Sequence, residues 1–252
     1  MELKLQGNRA LVTGGARGIG RAIAEAFAAE GIAVAAADDH PPRAVPAWVR
    51  LIAMDVAERA QVLAAFDEAE AAFGGPVDIL VNCAGLYPCD PLLEMTEAAW
   101  DRVLDTNVKG IFLCSQEFCR RLVAAGQPGV IINITSGASE RARPGAAHYC
   151  TSKAAAEMLT RCFALEFAQH RIRVNAVSPG YVEVGSEVNP LSEAYKRAII
   201  GTIPLGRPGE GADIARTVLF LCSTAAEWVT GASWRVDGGS RAGSLALPLS
   251  RG

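Results

Sequence analysis

A chain of 252 residues has room for one large domain, and its 50% hydrophobic and 20% charged residues strike an ordinary globular balance. That excludes a disordered protein, which combines low hydrophobicity with high net charge. Twenty-four Lys and Arg against 27 Asp and Glu leave a net charge of −3, no footprint for nucleic acid or an anionic membrane.

The N-terminal MELKLQGNRALVTGG carries early charges and then reads as a strand, without the apolar stretch of a secretion signal. Downstream, short apolar runs alternate with longer amphipathic ones. The order is strand Arg9–Thr13, helix Ile19–Glu30, strands Ile32–Ala37 and Val49–Met54, helix Ala57–Phe73, strand Val77–Asn82 and helix Glu97–Ala125. Strand Gly129–Ile134, helix Tyr149–Gln169, strand Ile172–Val177, helix Gly211–Ser223 and strand Ser233–Val236 complete the chain. Most of the strands are apolar at consecutive positions, as expected when helices cover both faces of a parallel sheet. The expectation is a single α/β domain around a doubly wound, mostly parallel, seven-stranded sheet of Rossmann type. Between Asp38 and Asp55 the stretch DDHPPRAVPAW holds Pro41, Pro42 and Pro46, so no helix is expected over residues 39–48.

No run of about 18 apolar residues exists to span a membrane. The seven cysteines (83, 89, 114, 119, 150, 162 and 222) are odd in number and form no CxxC. They read as reduced thiols, so a cytoplasmic protein is expected. His40, His148 and His170 form no metal-ligand cluster, and no metal is expected.

Chemistry concentrates at the ends of strands. Thr13-Gly14-Gly15-Ala16-Arg17-Gly18-Ile19-Gly20 follows the first strand and opens the first helix. Glycines there let a pyrophosphate approach main-chain N–H groups at a helix N-terminus. Asp38 ends the second strand 18 residues after Gly20, where a carboxylate can accept from ribose hydroxyls. Tyr149 and Lys153 stand four apart on one helical face. A neighbouring ammonium favours a phenolate, so the tyrosine can exchange a proton with an alcohol or ketone. Ser136 lies just past the fifth strand, where its hydroxyl could stabilise a developing alkoxide, with Thr135 and Ser139 as competitors.

The TGxxxGxG spacing, followed in order by Asp55-Val56, Asn82-Cys83-Ala84-Gly85, Asn107 in TNVKG, Ser136, Tyr149-xxx-Lys153 and Pro179-Gly180, resembles the short-chain dehydrogenase/reductase family. The resemblance runs from Gly7 to about Gly239. It implies an oxidoreductase that interconverts a secondary alcohol and a ketone with a nicotinamide dinucleotide, and Asp38 at the end of the second strand makes NAD the expected cofactor and NADP the less favoured one. It implies catalytic roles for Asn107, Ser136, Tyr149 and Lys153, with Asn107 holding a water in a proton relay with Lys153. It implies cofactor contacts from Gly14, Arg17, Gly18, Ile19, Gly20, Asp38, Asp55, Val56, Asn82, Ala84, Gly85, Tyr149, Lys153, Pro179, Gly180 and Val182. Two positions depart from the family pattern. Cys83 stands where a second asparagine is usual and reads as packing, not as a nucleophile. Val184 replaces the usual threonine and leaves backbone groups, Val182 included, to hold the nicotinamide.

Arg17 pulls against the NAD reading, since relatives that use NADP often carry a basic residue there. It is read either as solvated or as a partner of Asp38. Residues 183–206 resemble a substrate lid, and Trp234 to Gly239 resemble an interface strand of a homotetramer. Polar Glu140, Arg141 and Arg143 could meet a sugar, a polyol or another hydroxylated small molecule, or form a solvated turn. The alternatives are 3-oxoacyl-thioester reduction, a non-catalytic dinucleotide sensor, and an isomerase or dehydratase. An intact Ser–Tyr–Lys set speaks against the sensor, and the absence of an extra substrate domain against the isomerase.

Overall fold

The computed structural model describes residue 5 and residues 9–40, 49–184 and 191–243. Seven strands form one parallel sheet: β1 (Arg9–Thr13), β2 (Ala33–Asp38), β3 (Val49–Ala53), β4 (Ile79–Asn82), β5 (Gly129–Ile134), β6 (Ile172–Pro179) and β7 (Ser233–Val236). Their order is β3-β2-β1-β4-β5-β6-β7, the doubly wound arrangement the alternating pattern predicts. Every neighbouring pair is parallel.

The run GVIINI of β5 is buried at all six positions because the sheet is covered on both sides. Ile131 joins one core with Leu11, Phe66, Phe118 and Phe163. Val130, Ile132 and Ile134 join another with Val12, Ile23, Phe27, Ile214 and Val218. Strand side chains alternate between faces, so a consecutive apolar run supplies both cores at once.

The helices are α1 (Gly18–Ala29), α2 (Arg59–Phe73), α3 (Glu97–Leu104), α4 (Gly110–Ala125), α5 (Ala147–Phe167), α6 (Glu193–Ile200) and α7 (Gly211–Cys222). Two features depart from expectation. The helix predicted over Glu97–Ala125 is broken by a π-helical turn at Asp105–Lys109, so α3 and α4 are separate segments. One extra residue in the turn shifts the face that follows, a device frequent at functional sites. The second is α6, inside the segment expected only as a lid. Its start is readable: Ser192 caps it, the hydroxyl accepting from Tyr195 N at 3.2 Å, with Glu193 in the first turn. Of the link expected to be without a helix, residues 39 and 40 form a bend, and residues 41–48 lie outside the described residues, as do 185–190 of the lid segment.

The sheet order reverses between β1 and β4, and the loops leaving their carboxyl ends meet there. Thr13 Oγ1 accepts from Cys83 N at 3.0 Å and Ala84 N at 3.1 Å. Such a switch point is where doubly wound sheets bind ligands.

Candidate active site

Gly14 and Gly18 have positive φ, at 61° and 55°, a region glycine enters without strain. A Cβ on Gly14 would lie 2.8 Å from Ala84 Cα, and one on Gly20 would lie 2.2 Å from Gly14 O. The loop is thus a backbone cradle that side chains would fill. Arg17 precedes α1 in extended conformation and provides no side-chain cap, so the first-turn N–H groups and the dipole's positive end face outward. Ile19 packs against the Ile23 and Phe27 core and fixes the helix on the sheet.

Asp38 is 3% exposed at the end of β2. Oδ1 accepts from Arg17 Nη2 at 2.7 Å and from His40 N at 3.1 Å, while Oδ2 is buried without a partner. Burial alone would raise its pKa, but Arg17 and the His40 N–H together hold it below the usual carboxylate range. Arg17 therefore pairs with Asp38, the second of the two readings left open by the sequence.

Asp55 accepts from Ala57 N at 2.9 Å and shapes the turn after β3, and Val56 is buried beside Gly110. Asn82 turns its amide inward, Nδ2 donating to Ser115 Oγ at 3.0 Å and Asn133 Oδ1 at 2.8 Å. Its side chain braces β4 and β5, so the loop surface is left to Cys83, Ala84 and Gly85. Burial pushes the Cys83 thiol up to about 12, which keeps it an inert packing group.

At the other half of the site, Lys153 is 5% exposed and donates from Nζ to Ile134 O at 2.9 Å. Burial lowers its pKa to about 8. The Nζ lies 5.8 Å from the Tyr149 ring centre. Burial raises the Tyr149 phenol, while a hydrogen bond with Ser136 and the charge of Arg143 work the other way. Ser136 is singled out from its neighbours because Thr135 and Ser139 both donate to Glu157, at 3.3 and 2.8 Å. Ser136 also caps the turn that follows, accepting from Ala138 N at 3.2 Å.

Asn107 sits in the π turn, fully buried. Its Oδ1 accepts from Leu86 N at 2.8 Å, and its Nδ2 donates to Leu86 O and Ser152 Oγ, each at 2.9 Å. It pins the β4–α3 loop to α5. Its Oδ1 and Lys153 Nζ both border Gly85, where a Cβ would lie 3.3 and 3.5 Å away from them. Pro179 ends β6. Gly180 N donates to Val236 O at 3.0 Å, in a space so tight that a Cβ would meet Asp237 Cα at 2.8 Å. Val182 bridges to Gly209 on the approach to α7.

Sequence reasoning misses several participants. Glu157, eight residues after Tyr149 on α5, gathers Thr135, Ser139 and Ser233 and so holds the Ser136 turn against β7. Tyr87 meets Tyr149 edge-on at 6.3 Å. His148, fully buried, pairs with Asp90 at 3.0 Å, and its Nδ1 accepts the Tyr149 N–H at 2.8 Å. The helical spacing that places Tyr149 above Lys153 puts Glu157 one turn further on, and that spacing is the available signal.

The buried thiols give the fold a pH dependence. Burial pushes Cys83, Cys114, Cys119 and Cys222 up to about 12, against 9 for a free thiol. All four stay neutral in the folded chain at a pH where the unfolded chain would ionise them. Their contribution to stability is therefore complete below pH 9 and is lost as pH rises from 9 towards 12. Lys153 works oppositely between about 8 and 10.5, because the unfolded chain holds that proton longer. Four groups outweigh one, and the urea midpoint is expected to decline steadily above pH 9. A midpoint that is flat or rising over the two pH units above the free-thiol value would contradict this.

Comparison with known proteins adds to this geometry. The family model described as enoyl-(acyl carrier protein) reductase matches residues 14–241. An L-xylulose reductase of Bos taurus is 39% identical over 95% of this chain and 98% of its own length. A 3-oxoacyl-(acyl-carrier-protein) reductase of Staphylococcus epidermidis is 40% identical over 91% of this chain and 97% of its own. Among solved structures, a short-chain type dehydrogenase/reductase from Mycobacterium marinum superposes with a TM-score of 0.87. It is 37% identical and is covered over 96% of its length, against 94% of this chain.

Proposed function

The chain belongs to the short-chain dehydrogenase/reductase family and is an oxidoreductase, and we propose that it interconverts a secondary alcohol and a ketone using NAD. The observation that carries this reading is the Tyr149 phenol, beside Lys153 and in reach of Ser136. The family's nicotinamide dinucleotide, when bound, supplies the hydride acceptor or donor. The residues fit that group: a glycine cradle closed to side chains, an uncapped helix N-terminus and a buried carboxylate oxygen without a partner.

Gly14, Arg17, Gly18, Ile19 and Gly20 would hold the pyrophosphate end, and Asp38 the adenosine ribose. Asp55, Val56, Ala84 and Gly85, with the backbone at Asn82, would border the adenosine half. Pro179, Gly180 and Val182 would border the nicotinamide. Tyr149 gives its proton to the ketone oxygen in reduction and takes it from the alcohol in oxidation. Ser136 donates to the same oxygen as charge develops there. Lys153 keeps a positive charge near the phenol, and Asn107 fixes the loop and π turn around it. A phenol raised by burial holds its proton at neutral pH, which suits ketone reduction.

A sugar, polyol or cyclic alcohol is the substrate class we favour, supported by the similarity to an L-xylulose reductase. The segment 183–206, carrying α6, would serve as a lid. The β7 edge, where Trp234 is 37% exposed, supports a homotetramer, and reduced thiols support a cytoplasmic setting. No helix among the described residues is long and apolar enough to cross a membrane. Reduction of NAD+ with a panel of sugars, polyols, cyclic alcohols and hydroxyacyl thioesters tests the reading. Turnover confined to thioesters would favour 3-oxoacyl-thioester reduction. Dinucleotide binding without turnover of any alcohol or ketone would favour a sensor.

A further inference from the structure

We propose that Arg143 recognises an anionic group, a carboxylate or a phosphate ester, on the hydroxylated substrate. This rests on the secondary-alcohol reading above and narrows its substrate class. The loop after Ser136 carries three charged residues, and the structure separates them. Glu140 is occupied by Arg235 at 2.7 Å, and Arg141 donates to Ser240 O at 3.0 Å. Both point towards the segment around β7. Arg143 alone turns to the reacting group, its guanidinium carbon 5.7 Å from the centre of the Tyr149 ring.

No carboxylate among the described residues pairs with Arg143. Its polar contact is a long 3.4 Å hydrogen bond to the Tyr195 hydroxyl on α6. Another cation of the lid helix, Lys196, is already matched by Glu193 at 2.9 Å and Glu183 at 3.8 Å. Asp90, on the neighbouring loop, is engaged by His148. The guanidinium therefore lies half-buried between the phenol and the lid with its charge unmatched. Its planar fork suits bidentate recognition of a carboxylate or phosphate. The aromatic face beneath it holds the group in place without consuming its N–H donors.

Two pairs of probes share a secondary alcohol and differ in the presence of an anionic group: 3-hydroxybutyrate against 1,3-butanediol, and glycerol 3-phosphate against glycerol. Calorimetric titration of the NADH-loaded protein, which cannot oxidise an alcohol, is expected to show the anion of at least one pair binding about fivefold more tightly than its neutral partner, the scale of one partly exposed ion pair. The pair that shows it identifies the anionic group. Arg143→Gln should erase the difference at an unchanged melting temperature, and Arg143→Lys should retain part of it. Equal affinity within both pairs, no measurable binding of either anion, or a preference that survives in Arg143→Gln overturns the proposal. Preferential binding without oxidation of any probe when NAD+ is supplied instead would leave the anion site standing and count against the secondary-alcohol reading.

Discussion

Replacing Tyr149 by phenylalanine is expected to lower kcat/KM by about 10²-fold or more, the usual cost of losing a general acid–base. The substitution removes one oxygen and keeps the ring. The edge contact with Tyr87 at 6.3 Å and the positions of Arg143 and Lys153 over the ring do not need the hydroxyl. The fold should survive, and dinucleotide binding with it, because the glycine cradle lies at the β1–α1 turn and Asp38 on β2, both outside α5. What disappears is the phenol that shares a hydrogen bond with Ser136 and whose proton can pass to a ketone oxygen. Steady-state rates and dinucleotide titration on the same purified variant separate the two effects. Turnover indistinguishable from that of the parent enzyme would remove Tyr149 from the proposed role.

Legibility follows periodicity. The strands are readable because apolar residues at consecutive positions, as in GVIINI, have few other places to go than a sheet covered on both faces. The pairing of Tyr149 with Lys153 is readable because four residues make about one helical turn. The π turn at Asp105–Lys109 is hidden because one inserted residue leaves composition unchanged and shifts the helical face only beyond it. The helix α6 is masked by the expectation of an irregular lid, although Ser192 and Glu193 mark its start. In the sequence, only spacing favours Ser136 over Thr135 and Ser139. In the structure both competitors hydrogen-bond Glu157, while Ser136 bonds the Tyr149 phenol. The Glu157 contacts span 18 to 22 residues and have no local pattern to announce them. The same holds for Arg143, whose importance depends on where Arg141 and Glu140 find partners, near the far end of the chain.

A preference for NAD over NADP is expected, with kcat/KM for NAD+ at least about tenfold higher, or ~1.4 kcal/mol. Asp38 is the cause. Its carboxylate is buried, and Oδ1 is taken by Arg17 and the His40 N–H, while Oδ2 has no partner. A ribose hydroxyl can donate to that oxygen; a 2′-phosphate cannot, and brings like charge against it. Arg17 pulls the other way, because a guanidinium in the glycine loop could meet the phosphate. It is engaged by Asp38 at 2.7 Å and Asp39 at 3.3 Å. Among the described residues two carboxylates share that one guanidinium, so the cation offers a phosphate less than its position suggests. Asp38→Ala should release Arg17 and remove the acceptor together, narrowing the gap chiefly by weakening NAD+. Rates with both dinucleotides for the parent and the variant decide the matter. Equal or better use of NADP+ by the parent enzyme would mean that Arg17, despite its two acidic partners, sets the choice.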